Sequence, residues 1–362
     1  MIDFPGNIRD PGTNGLDDIY ARLAGLWVFE HGGSGMGAFI VRRLLNYVVL
    51  VFVATSLAYL GASSAFHPKD MYLQKNPPTP AVVMYHELDQ RNENPQKPVL
   101  ERYAHWVGGV AHGDFGQTWQ LDSVGKHFSI SVWVTVRLVS VAAILSAVLG
   151  ILIGSFQAVR QYKFSDHAIT FGSYIVFAMP VFVLAPLLKL IAVQVNKAVG
   201  GDTPFLQYQG EIDPNASGFF GQLFSRADHL LLPTISLTLG LIAFYSRYQR
   251  GQMLDVLGSD FLRTARAKGL TKGRAILKHG VRTAVIPVMT LVTYSTILTF
   301  AGAIITERVF GWNGLGSWFT DATNHSDVNS VAVITLFSAV LVLIAGMLSD
   351  VITAVLDPRV RL

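Results

Sequence analysis

The sequence predicts an all-α membrane protein with six spans. Three observations carry this. The composition suits a bilayer: of 362 residues, 51% are hydrophobic and 14% charged, where a soluble domain carries about 25% charged residues. Six stretches free of Asp, Glu, Lys and Arg reach, or nearly reach, the ~20 apolar residues that cross the hydrocarbon core. Basic residues collect in alternate loops, as orientation by the positive-inside rule requires.

The first span reads as Leu44 to Phe66. The second is Leu138 to Ala158, extended outward past Arg137 to about Ser131. The third, Ala168 to Leu188, is interrupted by Pro180 and Pro186. The fourth, Leu230 to Ser246, is short, contains Pro233 and begins near Asp228. The fifth is Thr283 to Thr306, with Pro287 near its start, and the sixth is Asn329 to Ser349. Proline is tolerated in such helices because neighbouring helices satisfy the carbonyls it frees.

Arg42 and Arg43 precede the first span, and Arg160 and Lys163 follow the second. The segment Arg247 to Arg282 holds nine basic residues against two acids, and the C-terminus ends DPRVRL. The loop His67 to Ile130 has six basic and seven acidic residues, so it shows no excess. Alternation therefore places both termini and the segment 247–282 in the cytoplasm, and the loop 67–130 outside. In that outer loop HPKDMYLQKNPPTP is rich in turn residues. VLERYAHWVGGVAHGDFG reads as an amphipathic helix resting on the outer membrane face. Residues 1–38 are polar and Gly-rich, unlike a secretory signal. They read as a cytoplasmic extension in which LDDIYARLAGLWVF forms a short amphipathic helix.

The stretch Asp260 to Arg274, DFLRTARAKGLTKGR, carries five basic residues and one acid between two spans. Phe261, Leu262 and Ala265 recur at helical spacing, and Gly269 and Gly273 punctuate. A glycine just past a helix end takes the left-handed conformation at no steric cost. The stretch therefore reads as a short helix parallel to the membrane, a turn near Gly269 to Lys272, and a second helical piece from Arg274 to Gly280. From the residues alone, three roles stand open: a topology-fixing loop, a site for anionic lipid, and a docking element for a cytoplasmic protein.

The run HLLLPTISLTLGLIAFYSRYQRGQMLDVLGSDFLRTARAKGLTKGRAILKHGVRTAVIPV resembles the inner core of binding-protein-dependent ABC importer permeases. In particular it resembles the B-type permease of oligopeptide and dipeptide importers. ERYAHWVGGVAHGDFGQTW, MPVF, ITERVFGWNGLGSW and SDVITAVLDPRVRL are similar to further segments of that family, in order. The resemblance covers roughly residues 39–362 and implies a type I ABC importer transmembrane domain. It makes RTARAKG part of a coupling helix between the fourth and fifth spans, seated in a cleft of an ATPase subunit. Asp260, Arg263, Thr264, Ala265, Arg266, Lys268 and Gly269 are then the coupling residues. Implied partners are a second, C-type permease, two cytoplasmic ABC ATPases that bind ATP and Mg, an extracytoplasmic substrate-binding protein and a peptide. The implied location is the bacterial cytoplasmic membrane. The family's usual Glu-Ala-Ala is replaced by Arg263, Thr264 and Ala265, which removes any Glu-mediated bridge to the ATPase. GASSAFHPKD stands where a PGDP-like turn is expected, and Asn313 stands where proline is usual.

Catalytic motifs are missing from the sequence. Gly125-Lys126 is followed by His127, and Gln120 holds the place of the first phosphate-loop glycine. His86-Glu87 lacks its second histidine, since position 90 is Gln. Gly61 to Ala65 lacks the last glycine of a nucleophile elbow. With no cysteine in the chain, thiol chemistry is excluded. The chain reads as a non-catalytic permease with no cofactor of its own and no nucleic-acid partner. Candidates for the translocation path are Arg137, Pro180 and Phe182. Arg137 either meets a peptide carboxylate or extends to the outer headgroups. Lys189 reads as an interface anchor, and Trp119 and Trp133 as aromatic-belt residues. An ion-driven secondary transporter would show acids within the spans, and the six runs hold none. A nickel chelate, haem or sugar remains open as cargo beside peptide.

Overall fold

The computed structural model describes residues 36–200 and 204–356. Most of the N-terminal extension and the final DPRVRL therefore lie outside the described residues. The chain divides into two compact units, 1–50 and 51–362, and the packing below is that of the second. Among the described residues all regular structure is helical, with one isolated bridge between Gln117 and Ser123. The helices are α1 (Met36–Ala65), α2 (Asp70–Leu73), α3 (Ala81–Gln90), α4 (Val99–Ala111), α5 (Val124–Val159), α6 (Phe164–Ala178) and α7 (Val181–Val199). There follow α8 (Gly218–Leu257), α9 (Asp260–Ala267), α10 (Lys272–Ala275), α11 (Arg282–Phe310), α12 (Leu315–Asn324) and α13 (Val328–Leu356). Among the described residues six stretches are long and apolar enough to cross a membrane. They fall in α1, α5, α7, α8, α10–α11 and α13.

Small residues decide how the two longest helices meet. On α5, Ala142, Ala143, Ser146, Ala147, Gly150 and Gly154 are buried, while Ile144, Leu145, Val148, Leu152 and Phe156 are exposed. The exposed set is the face an apolar solvent covers. Gly150 and Gly154 form a Gly-xxx-Gly pair that lets α5 reach the backbone of α8. A Cβ on Gly150 would lie 2.5 Å from that of Tyr245, and one on Gly154 would lie 2.7 Å from that of Gln249. On α11, Ala284, Val288, Val292, Ser295, Thr299 and Ala303 are buried at helical spacing. They form a stripe against which Tyr245 places its hydroxyl, 2.6 Å from Ser295 Oγ.

Several spans differ from the sequence expectation. The third is two helices, not one kinked helix. Met179 is extended (φ −86°, ψ 117°) and Pro180 caps α7, because a residue before proline is pushed out of the α region. Pro186, Pro233 and Pro287 instead sit inside helices. The fourth span is the core of a 40-residue helix, roughly 60 Å long. It continues through Arg247 and Arg250 to Leu257, so the predicted loop 247–282 begins as helix. The piece Arg274 to Gly280 is one α-turn followed by a π-helical segment, Ile276–Val281.

Beyond the spans, α2–α4 form a helical segment within the loop 67–130, which the charge pattern predicts to lie outside. The apolar side of α4 meets protein, not a lipid face: Trp106 stacks on Tyr59 of α1 at 4.9 Å, and Tyr103 lies 2.6 Å from Ser56. Buried acids lock this segment onto the start of α13. Glu93 Oε1 accepts from the Val328 amide at 2.8 Å, and Asp327 Oδ2 accepts from the Trp119 amide at 2.9 Å. Asn329 donates to the Arg91 carbonyl at 2.7 Å, and the Arg91 guanidinium meets the Glu93 carboxylate. A third buried acid works at α12. Glu307 accepts from the Gly316 and Ser317 amides at 2.9 and 3.0 Å and from Thr135. Both helices thus begin on a carboxylate, which their N-terminal dipoles favour.

Burial pushes the Glu93 carboxyl from 4.5 up to about 8; Arg91 opposes this and Asp327 adds to it. A proton held more tightly in the folded state stabilises fully below the unfolded value and is lost as pH rises through the folded one. The melting temperature of wild type relative to Glu93→Gln, followed by scanning fluorimetry, should therefore fall between about pH 5 and 8. A constant difference across that range would show that Glu93 does not titrate there.

Candidate functional site

At the basic end, α9 stands out as a short charged helix with one anchor. Leu262 is buried, and Ala265 is half-buried on the same side. Asp260, Arg263, Thr264, Arg266, Lys268 and Gly269 are exposed. Phe261 is also exposed, so it leaves the apolar face the spacing assigned to it. Leu262 Cδ1 lies over Gly280, beside Val256 and Ile276, at ordinary contact distance. One leucine therefore fixes α9 against the end of α8 and the π-helical segment.

Both ends of α9 follow from its residues. Asp260 lies in the first turn, where the helix dipole favours an acid, and Arg266 lies in the last. Gly269 adopts φ +92°. Its amide donates to the Arg266 carbonyl at 3.0 Å, and the Leu270 amide donates to the Ala265 carbonyl at 3.3 Å. This is a Schellman termination, which calls for glycine at that position. The Arg263–Asp260 pair, at 3.4 Å, is exposed on both sides and contributes little, about 0–1 kcal/mol. The exposed face therefore presents uncommitted charge.

Polar contacts tie the neighbouring helices together at this end. Asp166, buried at the start of α6, accepts from Arg250 Nε and Nη2 of α8 at 2.8 and 2.7 Å. Arg247 lies 4.5 Å over the Tyr174 ring of α6. Gln249 donates to Ser155 at 3.0 Å, and Gln157 donates to Thr170 at 3.1 Å. The basic residues of α8 thus serve packing as well as charge.

At the opposite end, the predicted path residues separate. Arg137 pairs with Glu211 at 2.7 Å, and the same carboxylate oxygen accepts from Arg226 at 3.1 Å. Neither outcome expected for Arg137 includes this pairing, because Glu211 lies in a loop with no sequence signal. Pro180 forms the break before α7, and Phe182 on its first turn is exposed. Arg137 sits on α5, whereas Pro180 and Phe182 lie two residues apart at the start of α7. Lys189 donates to the Val309 carbonyl at 2.7 Å, so it ties α7 to the end of α11. Trp133 is exposed, as a belt residue would be. Trp119 instead stacks on His325. Sequence reasoning missed Glu93, Arg91, Glu307 and Asp327. Of these, only Glu307 left a trace, in the glycine spacing of ITERVFGWNGLGSW.

Comparison with known proteins places this geometry among transport permeases. Residues 150–362 match the family described as binding-protein-dependent transport system inner membrane component. The oligopeptide transport system permease protein OppB of Mycobacterium tuberculosis is 45% identical, over 90% of this chain and 99% of its own length. The oligopeptide permease protein AppB of Bacillus subtilis is 32% identical, over 90% and 100%. The dipeptide permease protein DppB of Escherichia coli is 30% identical, over 89% and 98%.

Truncating the single anchor of α9 tests its construction. Leu262→Ala should cost roughly 2–5 kcal/mol of local packing. In hydrogen exchange, amides 260–270 should lose protection while α5 and α8 keep theirs. Unchanged protection at 260–270 would mean that other contacts hold the helix.

Proposed function

The chain belongs to the binding-protein-dependent transport system inner membrane component family, and from that premise we propose how it works as the permease subunit of a peptide importer. It is a multi-pass membrane protein and catalyses no chemistry itself. Hydrolysis of ATP belongs to two cytoplasmic ATPase subunits, which hold ATP and Mg. A second, homologous permease completes the translocation pathway, and an extracytoplasmic binding protein delivers the cargo. The basic segments face the cytoplasm of a bacterial inner membrane, with both termini inside. The relatives carry oligopeptide and dipeptide transport in their names, which favours peptide over a metal chelate, haem or sugar.

One observation carries the mechanism: α9 is a short, charged, exposed helix fixed to the end of α8 by Leu262 and closed by Gly269. Its exposed residues Asp260, Arg263, Thr264, Arg266, Lys268 and Gly269 enter a cleft of the ATPase, with Ala265 turned toward the permease. Arg263 stands where the family carries Glu, so contact here uses a cation. When nucleotide closes the two ATPases, α9 moves with them and drives α8. The contacts of α8 with α5 and α6 make the three helices move together, a rigid-body rearrangement between inward-open and outward-open states. A loaded binding protein favours the outward-open state because it binds that state better. Pro180 and Phe182 line the path at the start of α7. Arg137, held by Glu211, shapes its outer rim.

Gly269→Val separates coupling from assembly. A branched side chain at φ +92° is strained by roughly 1–3 kcal/mol, which bends the α9 exit. Peptide uptake into proteoliposomes should fall roughly tenfold or more while basal ATP hydrolysis persists. Gly269→Asn should retain most uptake, since asparagine tolerates the left-handed region. Normal uptake by the valine variant would remove α9 from the coupling path.

A further inference from the structure

The loop 67–130 holds a cleft that lies apart from the spans. Its volume is about 410 Å³, within the range of small-ligand sites, ~300–1,000 Å³. One wall is an aromatic pair from distant parts of the chain: Trp119 and His325 lie parallel within 2°, their centroids 3.8 Å apart. The His325 Nδ1–H donates to the Asp321 carbonyl at 2.7 Å, which fixes the ring. The other wall is Tyr72, fully buried, with Lys75 Nζ 5.2 Å above its ring. Glu87 places an acid in the same lining, and Met71 and Leu121 supply apolar surface.

Two features mark the cleft as built. The turn that carries Trp119 to Leu121 is closed by the Thr118 amide on the Asp122 carbonyl at 2.8 Å and by the Leu121 amide on Thr118 at 2.9 Å. It holds Leu121 at φ +67°, a conformation a leucine adopts only under constraint, and such constraint concentrates at ligand clamps. The Trp119 backbone is also tied to Asp327, so the wall is rigid. The charges then select the ligand. Glu87 repels a simple anion and Lys75 a simple cation, while a molecule with both charges satisfies both. An apolar or aromatic group between them matches the Trp119–His325 wall.

We propose that this cleft is a subsite for a short peptide with free termini. Glu87 receives the α-ammonium, Lys75 receives the α-carboxylate, and the Trp119–His325 wall with Met71 and Leu121 receives a side chain. The choice of a peptide rests on the importer reading; the demand for two opposite charges rests on the cleft alone.

The test is equilibrium binding to the full chain in nanodiscs, without ATP or binding protein. The probes are leucyl-phenylalanine and its C-terminal amide, read by tryptophan fluorescence and saturation-transfer NMR. Wild type should prefer the acid about fivefold, as for one solvent-exposed ion pair. Lys75→Ala, a change at an exposed position, should abolish that preference and leave amide affinity unchanged. Trp119→Phe should weaken both ligands alike. No binding, equal affinity of wild type for acid and amide, or equal loss of both in Lys75→Ala would overturn the subsite. ATP-driven uptake by the assembled complex is scored separately. Uptake without the acid preference sinks the cleft alone, whereas the preference without uptake supports the cleft and sinks the importer reading.

Discussion

The backbone contact of α5 with α8 is the constraint on which the rest of the structure depends. Gly150 and Gly154 leave no room for a side chain against Tyr245, Ser246 and Gln249. In an apolar solvent there is no hydrophobic gain in bringing two helices together, so close packing and internal hydrogen bonds must do it. Here the small stripe of α5 supplies the packing. Gln249 to Ser155 and Tyr245 to Ser295 supply hydrogen bonds. A helix held this closely cannot slide without collision. Force applied at Leu257 therefore displaces α5 as well as α8, and through the Asp166–Arg250 pair it displaces α6.

The far end is rigid for a different reason. Acids at Glu93, Glu307 and Asp327 are buried, which is costly unless each finds donors. Each does so on backbone amides at or near the start of a helix. The cost of burying these acids is thus offset by groups that every helix leaves unpaired. The segment α2–α4, α12 and the entry to α13 become one frame, held by long-range contacts such as Glu93 to Val328.

The sequence reveals the parts of this fold that the bilayer imposes. Apolar runs of about 20 residues mark five of the spans, the run 168–188 being split at Pro180, and the basic segments order themselves by charge. The ends of α8 are illegible because Gly218–Asp228 and Arg247–Leu257 mix charged and apolar residues beyond the uncharged run. Pro180 breaks the chain whereas Pro186, Pro233 and Pro287 do not, and local sequence does not separate these cases. Packing behind the residue decides. The helix α9 is legible through DFLRTARAKG because both its ends use local rules: an acid in the first turn and a left-handed glycine after the last. Its π-helical neighbour has no such signal. The carboxylate that meets Arg137 and the amide that Glu93 accepts from lie 74 and 235 residues away along the chain, so pairing of this kind is set by tertiary structure.

The central claim is that α9 is the point at which nucleotide-driven motion enters this protein. The absence of cysteine makes a direct measurement possible. A single cysteine introduced as Arg266→Cys, in the complex purified with its ATPase subunits, should be cross-linked to an ATPase by a short thiol-reactive linker. Yield should change when ATP is bound. A cysteine at Ser64, at the far end of α1, should give no such product. Failure of the Arg266→Cys chain to cross-link in any nucleotide state, with the complex intact, would contradict the account.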